Sequence, residues 1–187
     1  LKGLTTDTEY ELRMHYPSDD PIDSDVVTFT TGKELQIYNP GFEYWYTDGK
    51  IQYPDESGVS YWNTSNPGSA DYIGSVTVKE TGFKHGGSSC AKLQTQYAVI
   101  KLAAGSMYTG NFKGLIGTKG AKLDWGVPFI CRPTSLKGWL SYTPGAINRG
   151  TKPSGVGAPG KDANDHCSIF CALLTKQLHV GGNAESG

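Results

Sequence analysis

Apolar and polar residues alternate near the start of the chain. From Tyr10 to Tyr16, large apolar side chains occupy every second position and polar side chains lie between them. This period of two predicts a half-buried β-strand. A polar loop containing Pro17 and Pro21 follows, and the stretch DVVTFTTG then predicts a second strand. The first segment of the chain is therefore predicted to be a pair of β-strands.

Residues 1–32 resemble the last strands of a fibronectin type III or immunoglobulin-like domain. Leu4, Thr8 and Tyr10 are spaced as in the tyrosine corner of sandwich domains, where the tyrosine hydroxyl bonds to backbone a few residues upstream. Such a domain has about 100 residues, and two strands are rarely stable alone. We therefore expect that an upstream part of this domain precedes the chain, and that residues 32–34 form a linker.

From Leu35 onwards, short apolar stretches alternate with turn signals such as Asn66–Pro67–Gly68. Strands are predicted in LQIYNPGFEYWY, IGSVTVKE, SCAKLQTQY, AVIKLAAGSMYTGNF, GVPFICRPTSLKGWLSYTP and CSIFCALLTKQLHV. Their short, even spacing is typical of a β-sandwich or jelly roll. The segment ANDHCSIFCALLTKQL also fits a helix, and that alternative stays open. Because no strand pattern follows Val180, we expect the closing strand of the jelly roll to lie outside the chain.

The composition favours an all-β fold and argues against two classes of protein. The 187 residues include 25 Gly, 10 Pro and 11 Tyr but only 2 Met, as expected where aromatic side chains fill pleated faces and Gly and Pro make turns. The net charge of −1 and the scattered Lys and Arg argue against nucleic-acid binding. No apolar run approaches the roughly 20 residues of a membrane helix, so no transmembrane segment is predicted.

The four cysteines are predicted to be free and mostly buried thiols. In a strand, Cys167 and Cys171 would lie about 13 Å apart on one face, which is too far for a disulfide. Buried free thiols behave as small apolar groups. The cysteines and the four histidines do not have the spacing of a zinc site.

Aromatic residues beside polar turns are the candidates for glycan binding. Sugar rings lay their C–H faces on Trp or Tyr rings, with energies comparable to other aromatic contacts of about 0.5–1.5 kcal/mol. The aromatic candidates are Trp45, Tyr46, Tyr53, Trp62 and Trp125. Trp45 and Tyr46 lie where a predicted strand leads into the polar loop TDGKIQYPDESG, and Trp125 is interpreted as a loop residue. The alternative for Trp45 and Trp62 is a place in the core of the sandwich.

Arg132 completes the candidate set. It precedes Pro133, so its backbone is expected to be extended, and its guanidinium suits sugar hydroxyls or a carboxylate. A structural ion pair is the alternative. Three other aromatic residues are assigned to packing: Phe42 and Tyr44 in the core, and Trp139 within a strand.

No catalytic residue is assigned. A glycosidase needs two carboxylates at a defined separation, and no pair in this sequence has a spacing that forces proximity. Glu43 and Asp124 are the candidates if the protein is a hydrolase, while Asp55 and Glu56 are expected to be solvated. Glu43 lies on a predicted half-buried strand, where desolvation would raise its pKa. A structural calcium ligand and a buried hydrogen-bond acceptor are its other two roles.

Five segments together resemble a known family. They are NPGFEYW, GVSYW, GSSCAKLQT, RPTSLKGWLSYTPG and DHCSIFCALLT, of which RPTSLKGWLSYTPG is the most specific. From about Glu34 to its end, the chain resembles the putative carbohydrate metabolism domain of gut-bacterial surface proteins. The resemblance implies a galactose-binding-like jelly roll, often preceded by an immunoglobulin-like domain, in an exported, lipid-anchored or surface-attached protein. Galactose-binding-like modules often carry a structural calcium ion. The resemblance implies glycan handling but no particular reaction.

Two parts are therefore predicted: residues 1–32 as the end of an immunoglobulin-like domain, and residues 34–187 as a jelly roll. The predicted function is glycan binding in a carbohydrate-acquisition system at the bacterial cell surface, anchored at the outer membrane. The expected partners are a polysaccharide or oligosaccharide and other surface proteins of glycan utilisation. No cofactor is predicted apart from the structural calcium.

Two alternatives to glycan binding stay open. One is a glycoside hydrolase that uses a carboxylate pair. The other is a structural or adhesive module without a glycan site, which predicts that Trp45, Trp62 and Trp125 are all buried.

Overall fold

The structure is a computed structural model that describes residues 2–33, 36–98, 101–117, 120–131, 133, 135–147 and 164–181. The chain divides into two compact units, Leu1–Pro40 and Gly41–Gly187.

The first unit consists of two antiparallel strand pairs. Strand β1 (Glu9–Leu12) pairs with β4 (Val27–Thr30), and β2 (His15–Tyr16) pairs with β3 (Ile22–Asp23). The predicted pair of strands is therefore confirmed, although a short irregular step divides each strand in two.

The hydrogen bond expected of a tyrosine corner is present. The backbone N–H of Thr5 donates to the hydroxyl oxygen of Tyr10 over 2.8 Å, and the Tyr10 ring stacks on Phe29 with ring centroids 6.0 Å apart. The predicted half-burial of the strand face is wrong beyond Tyr10, because Met14 is 72% exposed and Tyr16 is 68% exposed. The described strands of this unit form two two-stranded sheets, and an apolar face that no second layer covers stays exposed.

The second unit is made of short strands and one short helix within its described residues. The elements are β5 (Tyr46–Asp48), β6 (Ile51–Tyr53), β7 (Trp62–Thr64), α1 (Asn66–Ile73), β8 (Thr77–Glu80), β9 (Cys90–Leu93), β10 (Gln96–Ala98), β11 (Lys101–Ala103), β12 (Met107–Ile116), β13 (Gly120–Trp125) and β14 (Leu178–Val180). The predicted all-β class is confirmed, and the jelly-roll arrangement stays a prediction.

A four-stranded antiparallel sheet is the largest assembly of the second unit. Its strand order is β14-β13-β12-β7, and three hairpins accompany it, β5–β6, β8–β9 and β10–β11. Strand β12 is bulged between Phe112 and Gly114, so that Lys113 has no residue opposite it in β13. The sheet brings together strands that are far apart in the sequence.

A buried asparagine joins the helix to two of the hairpins. Asn66 is fully buried. Its side-chain amide donates to the carbonyl oxygens of Gln52 (2.7 Å) and Thr77 (2.6 Å). Its side-chain oxygen accepts the backbone N–H groups of Val76 and Thr77, both over 2.9 Å. The four bonds connect β6, the start of α1 and the start of β8.

The turn predicted at Asn66–Pro67–Gly68 is instead the first turn of α1. Pro67 is the second residue of α1, and proline suits the first turn of a helix because its fixed φ is helical and its missing N–H would have no partner there. The predicted turn is therefore wrong, because these residues begin a helix.

Two predicted strand regions have no regular secondary structure. Residues 36–45 contain no strand, because Phe42 has a φ of 54° that a strand residue does not adopt. The described residues between 126 and 177 form neither a helix nor a strand apart from an isolated bridge between Ala146 and Asn164. Within this second region Trp139 is 79% exposed and stacks on His85 with ring centroids 3.8 Å apart. Its expected place within a strand is therefore wrong.

All four cysteines are free, as predicted. Their expected burial is wrong, because Cys90 and Cys131 are half-buried while Cys167 and Cys171 are exposed. The last two lie in the region without paired strands, where no second layer covers them among the described residues.

Candidate functional site

The β5–β6 hairpin places two predicted site residues side by side. Tyr46 and Tyr53 are directly opposite each other in the register, and their rings stack with centroids 5.0 Å apart and an angle of 15° between planes. Both residues are half-buried. Burial raises the pKa of both hydroxyls, and the charges of Asp55 and Asp48 add to this effect at Tyr46. The pair is the clearest aromatic platform that the hairpin creates.

Trp45 is held by the turn that precedes it. Its indole N–H donates to the carbonyl oxygen of Phe42 over 2.7 Å, so the polar edge of the ring is used internally while the residue stays half-buried. Tyr44 is 50% exposed, and its expected place in the core is wrong. The positive φ of Phe42 breaks the strand whose alternation would have turned Phe42 and Tyr44 to one face.

Trp62 begins β7 and is half-buried. Its ring makes edge contacts with Phe42 (centroids 5.3 Å apart) and Tyr61 (5.6 Å apart). Phe42 therefore contributes to packing, as expected, through Trp62.

Asp55 is a buried carboxylate, and its expected solvation is wrong. Only 1% of the residue is exposed, and its carboxylate oxygens accept the backbone N–H groups of Tyr61 (3.2 Å) and Trp62 (3.1 Å). Burial raises the pKa of Asp55 to about 6, although the bonds from Trp62 and Tyr61 act in the opposite direction. Its charge is felt by Tyr46, so Asp55 connects the tyrosine pair to the segment that leads into β7.

Replacing Asp55 by asparagine is expected to change the pH dependence of stability. The pKa is about 6 in the folded chain against an ordinary value of 3.8, so the folded state binds the proton more tightly between these values. Wild-type stability should therefore fall as pH rises from about 4 to about 6, by roughly 3 kcal/mol in total. The asparagine cannot ionise, and its oxygen still accepts N–H groups.

Urea unfolding at several pH values between about 4 and 7 measures this difference. Asp55→Asn should gain stability relative to the wild type as pH rises through this window. Glu56→Gln is the matched control, because Glu56 is the adjacent but exposed carboxyl. A difference between Asp55→Asn and wild type that stays constant with pH would contradict the raised pKa.

Trp125 ends strand β13, so its interpretation as a loop residue is wrong. Its ring lies 6.3 Å from that of Tyr108 and 6.4 Å from that of Phe170, measured between centroids. The indole N–H of Trp125 and the hydroxyl of Tyr108 are both buried without a hydrogen-bond partner among the described residues. Buried polar groups of this kind call for water or a ligand.

Tyr108 is in ring contact with Trp125 and is near enough to the tyrosine pair to sense the charge of Tyr53. Burial raises the pKa of Tyr108 to about 12, and the charge of Tyr53 adds to the rise. Tyr46, Tyr53, Tyr108 and Trp125 are named the aromatic row. Sequence reasoning missed Tyr108, although its position in an apolar stretch before a glycine is a usable signal. The remaining candidate, Arg132, lies outside the described residues.

Glu43 is a hydrogen-bond acceptor. Its Oε2 atom accepts the backbone N–H of Ser88 (2.9 Å), the Ser88 hydroxyl and the backbone N–H of Ser89 (3.1 Å). These bonds, led by the Ser88 hydroxyl, lower the pKa of Glu43, and the expected rise is wrong. Gly87, with a φ of +68°, leaves room for this carboxylate where a side chain would collide with it. Of the roles considered for Glu43, the structure supports the acceptor.

Asp124 is held by two basic side chains. Its Oδ1 atom is 2.6 Å from Nδ1 of His179, and its Oδ2 atom is 3.3 Å from Nζ of Lys113. The hydrogen bond with His179 is the main cause that lowers the pKa of Asp124. Sequence reasoning did not connect these residues, because they belong to three different strands.

The described residues contain neither a candidate metal-binding cluster nor a candidate membrane-spanning helix. No group of three or more His, Cys, Asp or Glu side chains is placed to hold a metal ion within that part of the chain. Among the same residues there is no helix with the length and apolarity that crossing a membrane requires.

Comparisons with known proteins give one match. No curated protein and no solved structure matches the chain. The family model of the putative carbohydrate metabolism domain matches residues 33–184. This range takes in both the aromatic row and Asp124. The chain therefore belongs to the family of the putative carbohydrate metabolism domain.

Proposed function

We propose that residues 34–187 form a glycan-binding module of a carbohydrate-acquisition system at the bacterial cell surface. The family name indicates a role connected with carbohydrates. The observation that carries the proposal is the stacked pair of Tyr46 and Tyr53, two half-buried and nearly parallel rings on a short hairpin. The ligand is a polysaccharide or oligosaccharide, and other surface proteins of glycan utilisation are the partners.

The stacked geometry of the Tyr46 and Tyr53 rings suits the binding of a sugar ring. A sugar ring presents an apolar C–H face that packs on an aromatic face, and such contacts are worth about 0.5–1.5 kcal/mol each. The mutual stacking of Tyr46 and Tyr53 holds each ring in place, so little side-chain freedom is lost when a sugar binds. Trp45 adjoins Tyr46 in sequence and is fixed by its bond to Phe42. The stacked tyrosine rings suit a flat, polar ligand.

The structural module and the glycoside hydrolase both have less support than glycan binding. The module without a glycan site predicts that Trp45, Trp62 and Trp125 are all buried, whereas all three are partly exposed. A hydrolase would use a carboxyl with a raised pKa, as Asp55 has. The oxygens of Asp55, however, accept two backbone N–H groups, and the residue is 1% exposed. A buried carboxylate that accepts backbone N–H groups in this way stabilises the conformation of a loop.

Replacing Tyr46 by alanine is expected to weaken glycan binding about three- to tenfold, the loss of one ring contact. Intrinsic tryptophan fluorescence, titrated with plant and host polysaccharides, measures the affinity, and reducing-sugar release is assayed in the same samples. Tyr46→Phe should bind as the wild type does, because it retains the ring. Tyr72→Ala is the control, since Tyr72 is 67% exposed on α1.

Three results would count against binding through this pair. Equal affinities for Tyr46→Ala and wild type would place the ligand elsewhere. Sugar release would move the function to the hydrolase. The absence of any saturable change with folded protein would favour the module without a glycan site.

A further inference from the structure

Four polar side chains lie in a line across the four-stranded sheet. The Ser60 hydroxyl, just before β7, donates to Oδ1 of Asn111 in β12 over 2.8 Å. Asn111 is opposite Asp124 of β13, and Asp124 is opposite His179 of β14. Ser60, Asn111, Asp124 and His179 are named the polar row. Neighbouring strands are about 4.8 Å apart, so the row is about 14 Å long.

The polar row lies on the face of the sheet opposite to Tyr108 and Trp125, and it shares its own face with Trp62, which is opposite Thr109 in the register. Side chains alternate along a strand, so Asp124 faces away from the neighbouring Trp125. Asn111 shares the face of Asp124, whereas Tyr108 shares the face of Trp125 with which it is in ring contact. The polar row is therefore separate from Tyr108 and Trp125 of the aromatic row.

Asp124 is the anchor of the polar row. Its side chain is 16% exposed, and its two oxygens are engaged by His179 and by Lys113. The bulge at Lys113 allows this side chain to reach the carboxylate from an irregular position. His179 and Lys113 remain 73% and 54% exposed. The carboxylate of Asp124 is therefore less accessible to solvent than the two nitrogen-bearing side chains that contact it.

The charge of this face is positive. Lys122 is two residues before Asp124 in β13 and shares its face. It is exposed. The described titratable groups of this face are therefore Lys113, Lys122 and His179 against the single carboxylate of Asp124. The two lysines exceed the aspartate by one charge even when the histidine is neutral.

We propose that this face of the sheet binds an acidic sugar of the glycan, a uronate whose carboxylate meets Lys113, Lys122 and His179. Side chains of Asn111 and Ser60 take the sugar hydroxyls farther along the row. The inference rests on the proposed function and adds to it the class of ligand. An oligosaccharide laid across the strands would contact every member of the row. The engagement of Asp124 by its neighbours removes the repulsion that a free carboxylate would exert on the ligand.

The test compares acidic and neutral oligosaccharides on matched variants. Isothermal titration calorimetry is performed with oligogalacturonate and hyaluronan fragments, and with neutral galacto- and xylo-oligosaccharides. The variants are the double change Lys113→Ala with Lys122→Ala, and Tyr46→Ala. The control is Lys92→Ala, because Lys92 is 52% exposed and is likewise paired with a carboxylate, that of Glu80.

The double lysine variant is expected to lose about tenfold in affinity for the acidic ligands and little for neutral ones, with a weaker dependence on salt. Lys92→Ala should bind as the wild type. If acidic and neutral ligands bind equally and Tyr46→Ala weakens both, the proposed function stands and the acidic site is overturned. An unchanged affinity of the double variant for acidic ligands also overturns it. If no ligand of either class binds the folded protein, both proposals fail.

Discussion

Replacing Asn66 by alanine is expected to lower the free energy of unfolding by roughly 4 kcal/mol. The side chain satisfies two carbonyl oxygens and two backbone N–H groups in a site that solvent does not reach. Each buried polar group left without a partner costs about 1–3 kcal/mol. Structural relaxation and entry of water recover part of this free energy, so the expected loss is smaller than four times the cost of one unpaired group. A loss of this size is typical of a few mechanisms, and one of them is the disruption of a buried hydrogen-bond network.

Urea unfolding of the whole chain measures this change. Asn63→Ala is the matched control, since Asn63 is also a buried asparagine but its oxygen accepts a single local bond, from the N–H of Thr64 over 2.9 Å. The control is expected to lose about 1 kcal/mol. Equal losses for the two variants would show that the bonds of Asn66 to β6 and β8 do not hold the unit together.

Replacing Gly110 by alanine is expected to cost about 3 kcal/mol or more. Gly110 has a φ of +122°, and an added Cβ would lie 2.0 Å from the backbone carbonyl oxygen of Asp124. Backbone strain at such a φ costs on the order of 1–3 kcal/mol for a residue other than glycine. The collision is with backbone rather than with a flexible side chain, so the β12–β13 ladder has to separate locally. The change therefore disturbs the polar row at its anchor.

Gly114→Ala separates the two effects in the same strand. Gly114 has a φ of +140°, but nothing lies within 4 Å of its added Cβ. This variant should show the strain without the collision and lose about 1–2 kcal/mol. Its affinity for acidic oligosaccharides should stay close to that of the wild type, whereas Gly110→Ala should weaken it. Similar unfolding midpoints for both variants would contradict a close approach of the strands at Gly110.

The features that sequence reasoning predicted correctly depend on residues close together in the chain. The hydroxyl of Tyr10 bonds to Thr5, five positions away, so spacing alone reveals it. The paired strands of the first unit, the free state of the cysteines and the all-β class follow from local pattern or composition. The pairing of Tyr46 with Tyr53 is also local, because a short hairpin joins them, while their role in glycan binding stays a prediction.

Two of the wrong predictions have clear physical causes. At Phe42 a single backbone conformation with φ of 54° ended the entry strand and exposed Tyr44. At Asp55 the backbone N–H groups of Tyr61 and Trp62 hold a carboxylate inside the unit, whereas its charge suggested solvent. Neither the dihedral angle nor the donors could be read from residue types.

What the sequence by itself determined is the class of fold, the family and the short-range pairs, because hydrophobic period and turn residues act over a few positions. The tertiary structure alone decided which distant residues share a surface. The polar row joins Ser60, Asn111, Asp124 and His179 only because β14, β13, β12 and β7 are adjacent in one sheet. Strand order is set by long-range packing, and no local pattern of residues specifies it.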